Sequence, residues 1–175
     1  IPEADNLLAG RAGIEVCVRR DTEGTVLRAL TVQAGTLGLS AQGTVGTGTA
    51  DLTARLRLSD LGRLGGGYRG ALGLDVELTQ TEGLLRATLG GEITDLAVGD
   101  LPGAPQIAAL FQGRTTLNGA IAQQDGALRI ESLSMDGPRL ALSVNGTLSE
   151  TAQAIALRLD RLILSAVAPG VQGTL

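Results

Sequence analysis

Short segments of this chain alternate between apolar and polar residues with a period of two. Between Ala50 and Leu58, leucine or alanine occupies every even position, and Asp, Thr or Arg occupies the odd positions between them. A period of two places all the apolar side chains on one face of an extended strand. The segment is therefore predicted to be a half-buried β-strand.

The same alternation recurs along most of the chain. It predicts further strands within residues 14–18, 27–32, 37–41, 72–78, 85–89, 117–121, 128–130, 140–145 and 155–159. Residue pairs typical of tight turns separate many of these segments: Glu23-Gly24, Glu82-Gly83, Asp125-Gly126, Asp136-Gly137 and Asn145-Gly146. The sequence therefore predicts a mainly β fold, an antiparallel meander with one face toward water.

Two segments depart from the strand pattern. Residues 101–111 place two prolines before a short apolar stretch, and residues 58–68 place the capping pair Ser59-Asp60 before leucines at helical spacing. Proline at a helix start and a side-chain cap both favour helical turns. We predict one or two short helical turns at these places.

The amino-acid composition indicates that the apolar layer is thin or open. Among 175 residues there are one Phe, one Tyr and no Trp, so Leu, Ala, Val and Ile supply the apolar surface. Aromatic rings ordinarily fill much of the volume of a closed core. The 26 glycines and only 5 prolines fit many tight turns better than a disordered chain.

Charge and metal-binding residues exclude several classes of function. The net charge is −4 and every basic residue is arginine, with no lysine, so no basic stripe is available for nucleic acid. Histidine is absent and Cys17 is the one cysteine, which argues against a transition-metal site and against an internal disulfide. We expect no metal, no cofactor and no nucleic-acid partner.

Catalytic motifs are also missing. The glycines of residues 43–48 and 65–67 lack the lysine of a phosphate-binding loop, and without histidine no Ser-His-Asp triad is available. Asp95 and Asp100 are the nearest approach to a carboxylate pair, and both are expected to be turn residues. Cys17 is expected to be an inert, buried or half-buried thiol. The chain is therefore not expected to be an enzyme.

An internal repeat is the most informative feature of the sequence. LGLSAQGT at 37–44 matches LALSVNGT at 140–147, and GYRGAL at 67–72 matches GVQGTL at 170–175. The order of strand, gap, strand, Leu-rich turn and Gly-x-x-Gly-x-Leu is the same in both. We predict approximate repeats at 37–72 and 140–175. The second copy stops where its next strand is due, so we expect residues 1–175 to be a single fragment of a longer repeat protein.

These stretches resemble the repeats of TamB and its AsmA-like relatives. LTARLRLSDLGRLGGGYRGALGLDVEL at 52–78 and the whole of 140–175 show an alternating strand that ends in a Leu-x-Leu-x-x-Leu turn and reopens with Gly-x-Leu. The resemblance covers most of residues 26–175. It implies strands curled into an open, taco-shaped groove with an apolar inner surface, in the periplasm, within a parent protein anchored to the inner membrane outside this fragment.

The resemblance also implies a function and partners. Proteins of this family are linked to outer-membrane protein assembly, with an outer-membrane partner of the TamA type, and to phospholipid transport between the two membranes. The expected ligands are phospholipid acyl chains or client β-strands. Alternate positions of the predicted strands would line the groove: Leu37, Leu39, Leu52, Leu56, Leu58, Leu72, Leu74, Val76, Leu78, Leu85, Leu89, Leu117, Leu128, Ile130, Leu140, Leu142, Val144, Ile155, Leu157 and Leu159.

Two alternatives stay open at the level of sequence. By periodicity alone, the same residues favour a closed sandwich core, whereas the family resemblance favours an open groove. A closed β-sandwich or β-solenoid serving as an interaction or adhesin module of a secreted bacterial protein is the competing class. An open sheet also predicts self-association through edge strands.

Overall fold

The computed structural model describes residues 12–20, 22, 24–65, 67–99, 103–149, 153–168, 170, 173 and 174. In these ranges the chain forms ten strands: β1 (Ala12–Arg20), β2 (Gly24–Ala34), β3 (Leu37–Gly46), β4 (Ala50–Leu58), β5 (Arg69–Thr81), β6 (Leu84–Ala97), β7 (Arg114–Gln124), β8 (Ala127–Asp136), β9 (Leu140–Leu148) and β10 (Gln153–Leu162). All ten lie in one antiparallel sheet in sequence order, with β1 and β10 at its edges.

The predicted mainly β fold, an open antiparallel meander, is confirmed. Each predicted strand segment lies within one observed strand, and the observed strands extend beyond most of the predictions. Glu82 and Asp125 turn with φ of 50° and 51°, and each precedes a glycine of positive φ. Positive φ at both central residues is the type I′ conformation that matches the twist of a hairpin. Glu23 lies outside the described residues.

Both predicted helical turns are present. A 3₁₀ turn at Leu61–Leu64 joins β4 to β5, and the Asp60 carboxylate caps it by accepting a hydrogen bond from the Gly62 N–H at 2.8 Å. The helix α1 (Ala104–Leu110) joins β6 to β7 and has proline in its first turn. A second helix, α2 (Leu164–Val167), follows β10 and was not predicted. Its N-cap, Ile163, makes no side-chain hydrogen bond, so the sequence carries no capping signal.

The predicted turn at Asn145-Gly146 is wrong, because both residues lie inside β9. The glycine serves a different purpose there. A Cβ atom on Gly146 would lie 2.3 Å from the carbonyl oxygen of Ala154 and 2.9 Å from the Cα of Ile155. Glycine is therefore required by the close approach of β10 to β9, and not by a change of chain direction.

Bulges interrupt the regular pairing of several strands. The pairing of β2 with β3 shifts between Leu27 and Leu30, and that of β8 with β9 shifts between Ile130 and Leu133. A further shift lies in β10, between Leu159 and Arg161. An extra residue in one strand returns side chains three positions apart to the same face of the sheet. The bulges therefore keep the apolar residues of these strands together although the sequence period is broken.

The helical connections gather at one end of the sheet. The 3₁₀ turn, α1 and α2 all adjoin the end at which β4, β6 and β10 finish. Ala34, Leu58 and Leu61 are buried at this end, and the α-helices contact each other. The turns Glu82-Gly83 and Asp125-Gly126 lie at the opposite end. Full burial in the described chain is thus concentrated where helices cover the sheet.

A buried hydroxyl without a partner marks this covered end. Thr115 is 1% exposed, and among the described residues its Oγ1 has no hydrogen-bond partner. An unsatisfied buried hydroxyl costs about 1–3 kcal/mol, so Thr115→Val is expected to raise the free energy of unfolding by about 1 kcal/mol in urea titrations. The control is Thr116→Val, which removes a hydroxyl that donates to the Asp136 carbonyl at 3.2 Å. That variant is expected to be less stable than the wild type. A loss of stability in T115V would contradict the assignment.

Candidate functional site

The register of the sheet places apolar residues opposite one another across all ten strands. Three rows run from β1 to β10, and every position in them is Gly, Ala, Val, Leu, Ile or Met. Row 1 is Ile14, Val32, Leu39, Leu56, Leu74, Gly91, Leu117, Met135, Leu142 and Leu159. Row 2 is Val16, Leu30, Ala41, Ala54, Val76, Leu89, Gly119, Leu133, Val144 and Leu157. Row 3 is Val18, Leu27, Gly43, Leu52, Leu78, Ala87, Ile121, Ile130, Gly146 and Ile155. We call these positions the apolar face.

The apolar face is large for a single protein chain. Ten strands spaced about 4.8 Å apart make each row about 43 Å long, and three rows at alternate residues are about 13 Å apart from first to last. Each position covers roughly 32 Å² of the sheet, so the face measures about 950 Å². The largest apolar patch on a typical monomer is about 300–600 Å². A face of this size indicates a surface that contacts something apolar.

No second layer covers this face within the described part of the chain. The strands form one sheet, and apart from Gly119, which neighbouring leucines cover, no residue of the three rows is buried. At the edges, Ile14 and Leu157 are 68% and 67% exposed. The described residues therefore form an open sheet, not a closed sandwich core.

Glycines within the rows let leucines from neighbouring strands close over them. A Cβ atom on Gly119 would lie 3.0 Å from Leu89 and 3.1 Å from Leu133, and one on Gly91 would lie 2.6 Å from a methyl group of Leu74. The leucines thus fill the places that glycine leaves empty. The result is a continuous apolar surface made of flexible aliphatic side chains without aromatic rings.

All twenty predicted groove residues lie on this side of the sheet. Fourteen belong to the three rows. Leu37, Leu58, Leu72 and Leu140 lie one step beyond row 1, toward the helical end. Leu85 and Leu128 lie one step beyond row 3, where both pair with Gln123. The structure therefore brings together every side chain that the alternation assigned to one surface.

Sequence reasoning missed other members of the apolar face. Leu27 and Leu133 were overlooked because the bulges in β2 and β8 hide them from a strict period of two. A detectable signal existed, since LRAL at 27–30 places apolar residues three apart within a predicted strand, and IESL at 130–133 does the same from the last residue of another. Ile14 and Val16 were predicted to lie in a strand but not to line the groove.

The opposite face of the sheet is polar and carries paired charges. Arg55 Nε lies 2.5 Å from Asp75 Oδ1, and Arg57 Nη2 lies 2.8 Å from Asp75 Oδ2. The hydrogen bond from Arg55 is the main cause of a lowered pKa of Asp75, followed by the bond from Arg57. The same contact raises the pKa of Arg55. These side chains are about half exposed, so the ion pairs add little to stability. Their main effect is to keep this face of the sheet hydrated.

A hollow of about 540 Å³ lies on the polar face, over the glycine positions of β5 and β6. Its charged lining consists of Arg57, Asp75, Glu92 and Arg114. Arg57 pairs with Asp75 and Arg114 pairs with Glu92. The charges of this hollow therefore neutralise one another, and the arrangement offers no distinct acid, base or anion-binding group.

The other candidate groups named from the sequence were Cys17, Asp95 and Asp100. Cys17 is exposed, which corrects the expected burial, because β1 is an edge strand that no layer covers. Asp95 lies within β6 with φ of 49°, and not in a turn as expected; its carboxylate accepts a hydrogen bond from the Gly113 N–H at 2.8 Å. Asp100 lies outside the described residues. Nowhere in the described ranges do three or more His, Cys, Asp or Glu residues gather as a metal site would need.

Neither helix in the described part of the chain has the length and apolar character needed to cross a bilayer. Comparison of the chain with protein-family models, with curated proteins and with solved structures finds no match.

Proposed function

We propose that the apolar face binds phospholipid acyl chains, and that the chain is a non-enzymatic segment of a TamB-like lipid-carrying groove. The observation that carries the proposal is the unbroken run of three apolar rows across ten strands of a single sheet. A closed globular core needs apolar residues that are buried, whereas these are open to a ligand. Apolar surface that is not buried by the protein gains free energy when it contacts hydrocarbon.

The dimensions of the face suit acyl chains. One leaflet of the hydrocarbon core of a bilayer is roughly 15 Å thick, which is the depth that an acyl chain spans in a membrane. The rows, about 43 Å long, accommodate several chains side by side across successive strands. The one-sided sheet leaves a lipid headgroup free to stay in water while the chains lie on the leucines.

Residue composition supports the same function. Leu, Val, Ile and Ala present a smooth, deformable surface, and the scarcity of aromatic rings leaves room above it. The sequence resemblance to TamB and AsmA-like repeats extends the proposal to a setting. That setting is the periplasm of a diderm bacterium, with lipid transport or outer-membrane protein assembly as the task and an outer-membrane TamA-type partner for the full-length protein.

The proposal is tested by incubating the chain with vesicles of phosphatidylethanolamine and phosphatidylglycerol, removing the vesicles by flotation, and recording native mass spectra. We expect mass additions equal to one or more intact phospholipids. These should disappear when the lipid is replaced by its headgroup alone, glycerophosphoethanolamine. Lipid-free spectra at saturating lipid would refute acyl-chain binding. Binding of an amphipathic β-strand peptide in place of lipid would instead favour a client-strand function.

A further inference from the structure

The apolar face is bounded by a covered row of side chains at the helical end of the sheet. One step beyond row 1, the inner strands β2 to β7 place Ala34, Leu37, Leu58, Leu72, Ile93 and Thr115, which we call the covered row. Ala34, Leu58 and Thr115 are buried, with 1%, 6% and 1% of their surface exposed. Arg57 and Arg114, which point to the polar face beside them, are exposed. The burial therefore comes from the apolar side of the sheet.

The helical connections lie against this covered row. Leu61 of the 3₁₀ turn is itself buried, the 3₁₀ turn contacts β5, and α1 contacts β6. The one polar side chain of the covered row is Thr115, whose hydroxyl is buried. A lipid phosphate placed at this end would lose its water without gaining hydrogen bonds, which is unfavourable. The covered row therefore suits only the hydrocarbon part of a ligand.

The opposite end of the apolar face is uncovered and carries two amides. One step beyond row 3, strands β3 to β8 place Val45, Ala50, Gln80, Leu85, Gln123 and Leu128, which we call the open row. None of these residues is buried. Gln80 and Gln123 flank Leu85, so two strand spacings, or about 10 Å, separate them. The open row therefore combines an apolar floor with polar groups that reach solvent.

The glutamine amides suit the polar part of a lipid. A glutamine NH₂ group donates two hydrogen bonds, and the amide carries no charge. The ester and phosphate oxygens of a phospholipid are acceptors for such donors. Gln80 is half-buried and Gln123 is exposed, so a ligand on the apolar face can approach both. The two ends of the face therefore differ in the part of a lipid that each can hold.

We infer that phospholipid lies along the strands in one direction, with its acyl methyl ends toward the covered row and its esters and phosphate at Gln80 and Gln123. The inference rests on the proposed function and adds to it a direction and two binding residues. On β3, six residues separate Leu39 in row 1 from Val45 in the open row, which is about 20 Å. An acyl chain spans roughly 15 Å in one leaflet of a membrane. The chains therefore fit on the three rows when the phosphate is at the open row.

Fluorescence quenching tests the direction of the bound lipid. Leu37→Cys and Val45→Cys, each made in a Cys17→Ser chain, place one fluorophore at the covered row or at the open row, about 27 Å apart on the same face of β3. The chain is loaded from vesicles of phosphatidylcholine that carries a nitroxide on its headgroup or near the methyl end of an acyl chain, and the vesicles are removed by flotation. Because hydrogen bonds favour one direction, the headgroup nitroxide should quench V45C roughly threefold more than the acyl nitroxide does. The order should be reversed for L37C.

The possible outcomes distinguish the direction of the lipid from lipid binding itself. Lipid that appears in native mass spectra but quenches V45C equally from both nitroxide positions would overturn the inferred direction and leave acyl-chain binding in place. If circular dichroism shows that L37C does not fold, the comparison of the two lipids at V45C decides alone. Spectra without lipid would instead refute the proposed function.

Two paired substitutions test the glutamines themselves. Gln80→Leu combined with Gln123→Leu removes both amides from the open row, so the two nitroxides should then quench the fluorophore at Val45→Cys about equally. Gln33→Leu combined with Gln42→Leu is the matched control, since it removes two exposed amides from the polar face of β2 and β3. The control should keep the roughly threefold difference. A preserved difference in Q80L/Q123L would show that these glutamines do not hold the polar part of the lipid.

Discussion

Leu56→Arg is expected to lower phospholipid binding roughly 100-fold while leaving the sheet folded. Leu56 lies in row 1 between Leu39 and Leu74, far from both edges, and it is only half-buried. A guanidinium group at this point forces any bound acyl chain to desolvate a charge or to move away. The arginine itself can extend toward water, so the free energy of unfolding should fall by only about 1–2 kcal/mol.

A matched control distinguishes the effect of a charge on the apolar face from the effect of an added charge elsewhere on the sheet. Thr79→Arg adds the same side chain at an exposed position of β5 on the polar face, and it should bind lipid as the wild type does. Leu142→Arg, in the same row on β9, should behave as L56R does. Binding is measured by native mass spectrometry, and folding is measured by circular dichroism and urea titration. Unfolding of L56R and L142R with T79R intact would mean that the face is a closed core. If L56R bound lipid as the wild type does, the apolar face would not be the lipid-binding site.

Alanine at Gly43 or Gly146 is expected to destabilise the sheet by about 2–3 kcal/mol. A Cβ atom on Gly43 would lie 2.0 Å from the carbonyl oxygen of Asp51, and one on Gly146 would lie 2.3 Å from that of Ala154. Neither carbonyl can retreat without breaking the pairing of two strands. Gly43 also has φ of 149°, which L-residues rarely adopt, so G43A should be the more damaging change.

Gly90→Ala provides the comparison for these two variants. Gly90 lies within β6, and no atom would be within 4 Å of its new Cβ. Because alanine lowers the backbone entropy of the unfolded chain, the stability of G90A should be unchanged or higher by about 0.5 kcal/mol. Urea titrations of the three variants measure the difference. G43A and G146A as stable as G90A would show that the strands do not approach each other as closely as described.

The two closely approached glycines occupy equivalent positions of the predicted repeats. Gly43 follows LGLSAQ and Gly146 follows LALSVN, and both lie in row 3 opposite the strand that comes next in the chain. Downstream of each pair of strands the chain makes a short helical turn, at Leu61–Leu64 and at Leu164–Val167. The repeat of 37–72 and 140–175 stays a prediction. The shared need for glycine gives a physical reason why the two stretches are alike.

Much of the fold could be predicted because the alternation of apolar and polar residues shows which side chains of a strand share a face. Alternation at Ala50–Leu58 reflects side chains that point to opposite sides of an extended backbone, and this requires no knowledge of the partner strand. The turns at Glu82-Gly83 and Asp125-Gly126 are equally local, since positive φ depends on the turn residues themselves. The candidate groove residues followed from the same signal, which is why all twenty lie on one side of the sheet.

The remaining features depend on the partner strand. Asn145-Gly146 has the residues of a turn, but the approach of Ala154 makes its glycine part of a strand. Leu27 and Leu133 join the apolar face only through bulges, whose placement is set by pairing with the next strand. Cys17 is exposed because β1 lies at an edge of the sheet. The residues of a strand do not by themselves determine whether it lies at an edge or in the middle. The sequence by itself therefore determined which side chains share a surface. Only the tertiary structure decided that the surface is continuous across ten strands and left open, because register and coverage arise from contacts between segments distant in the chain.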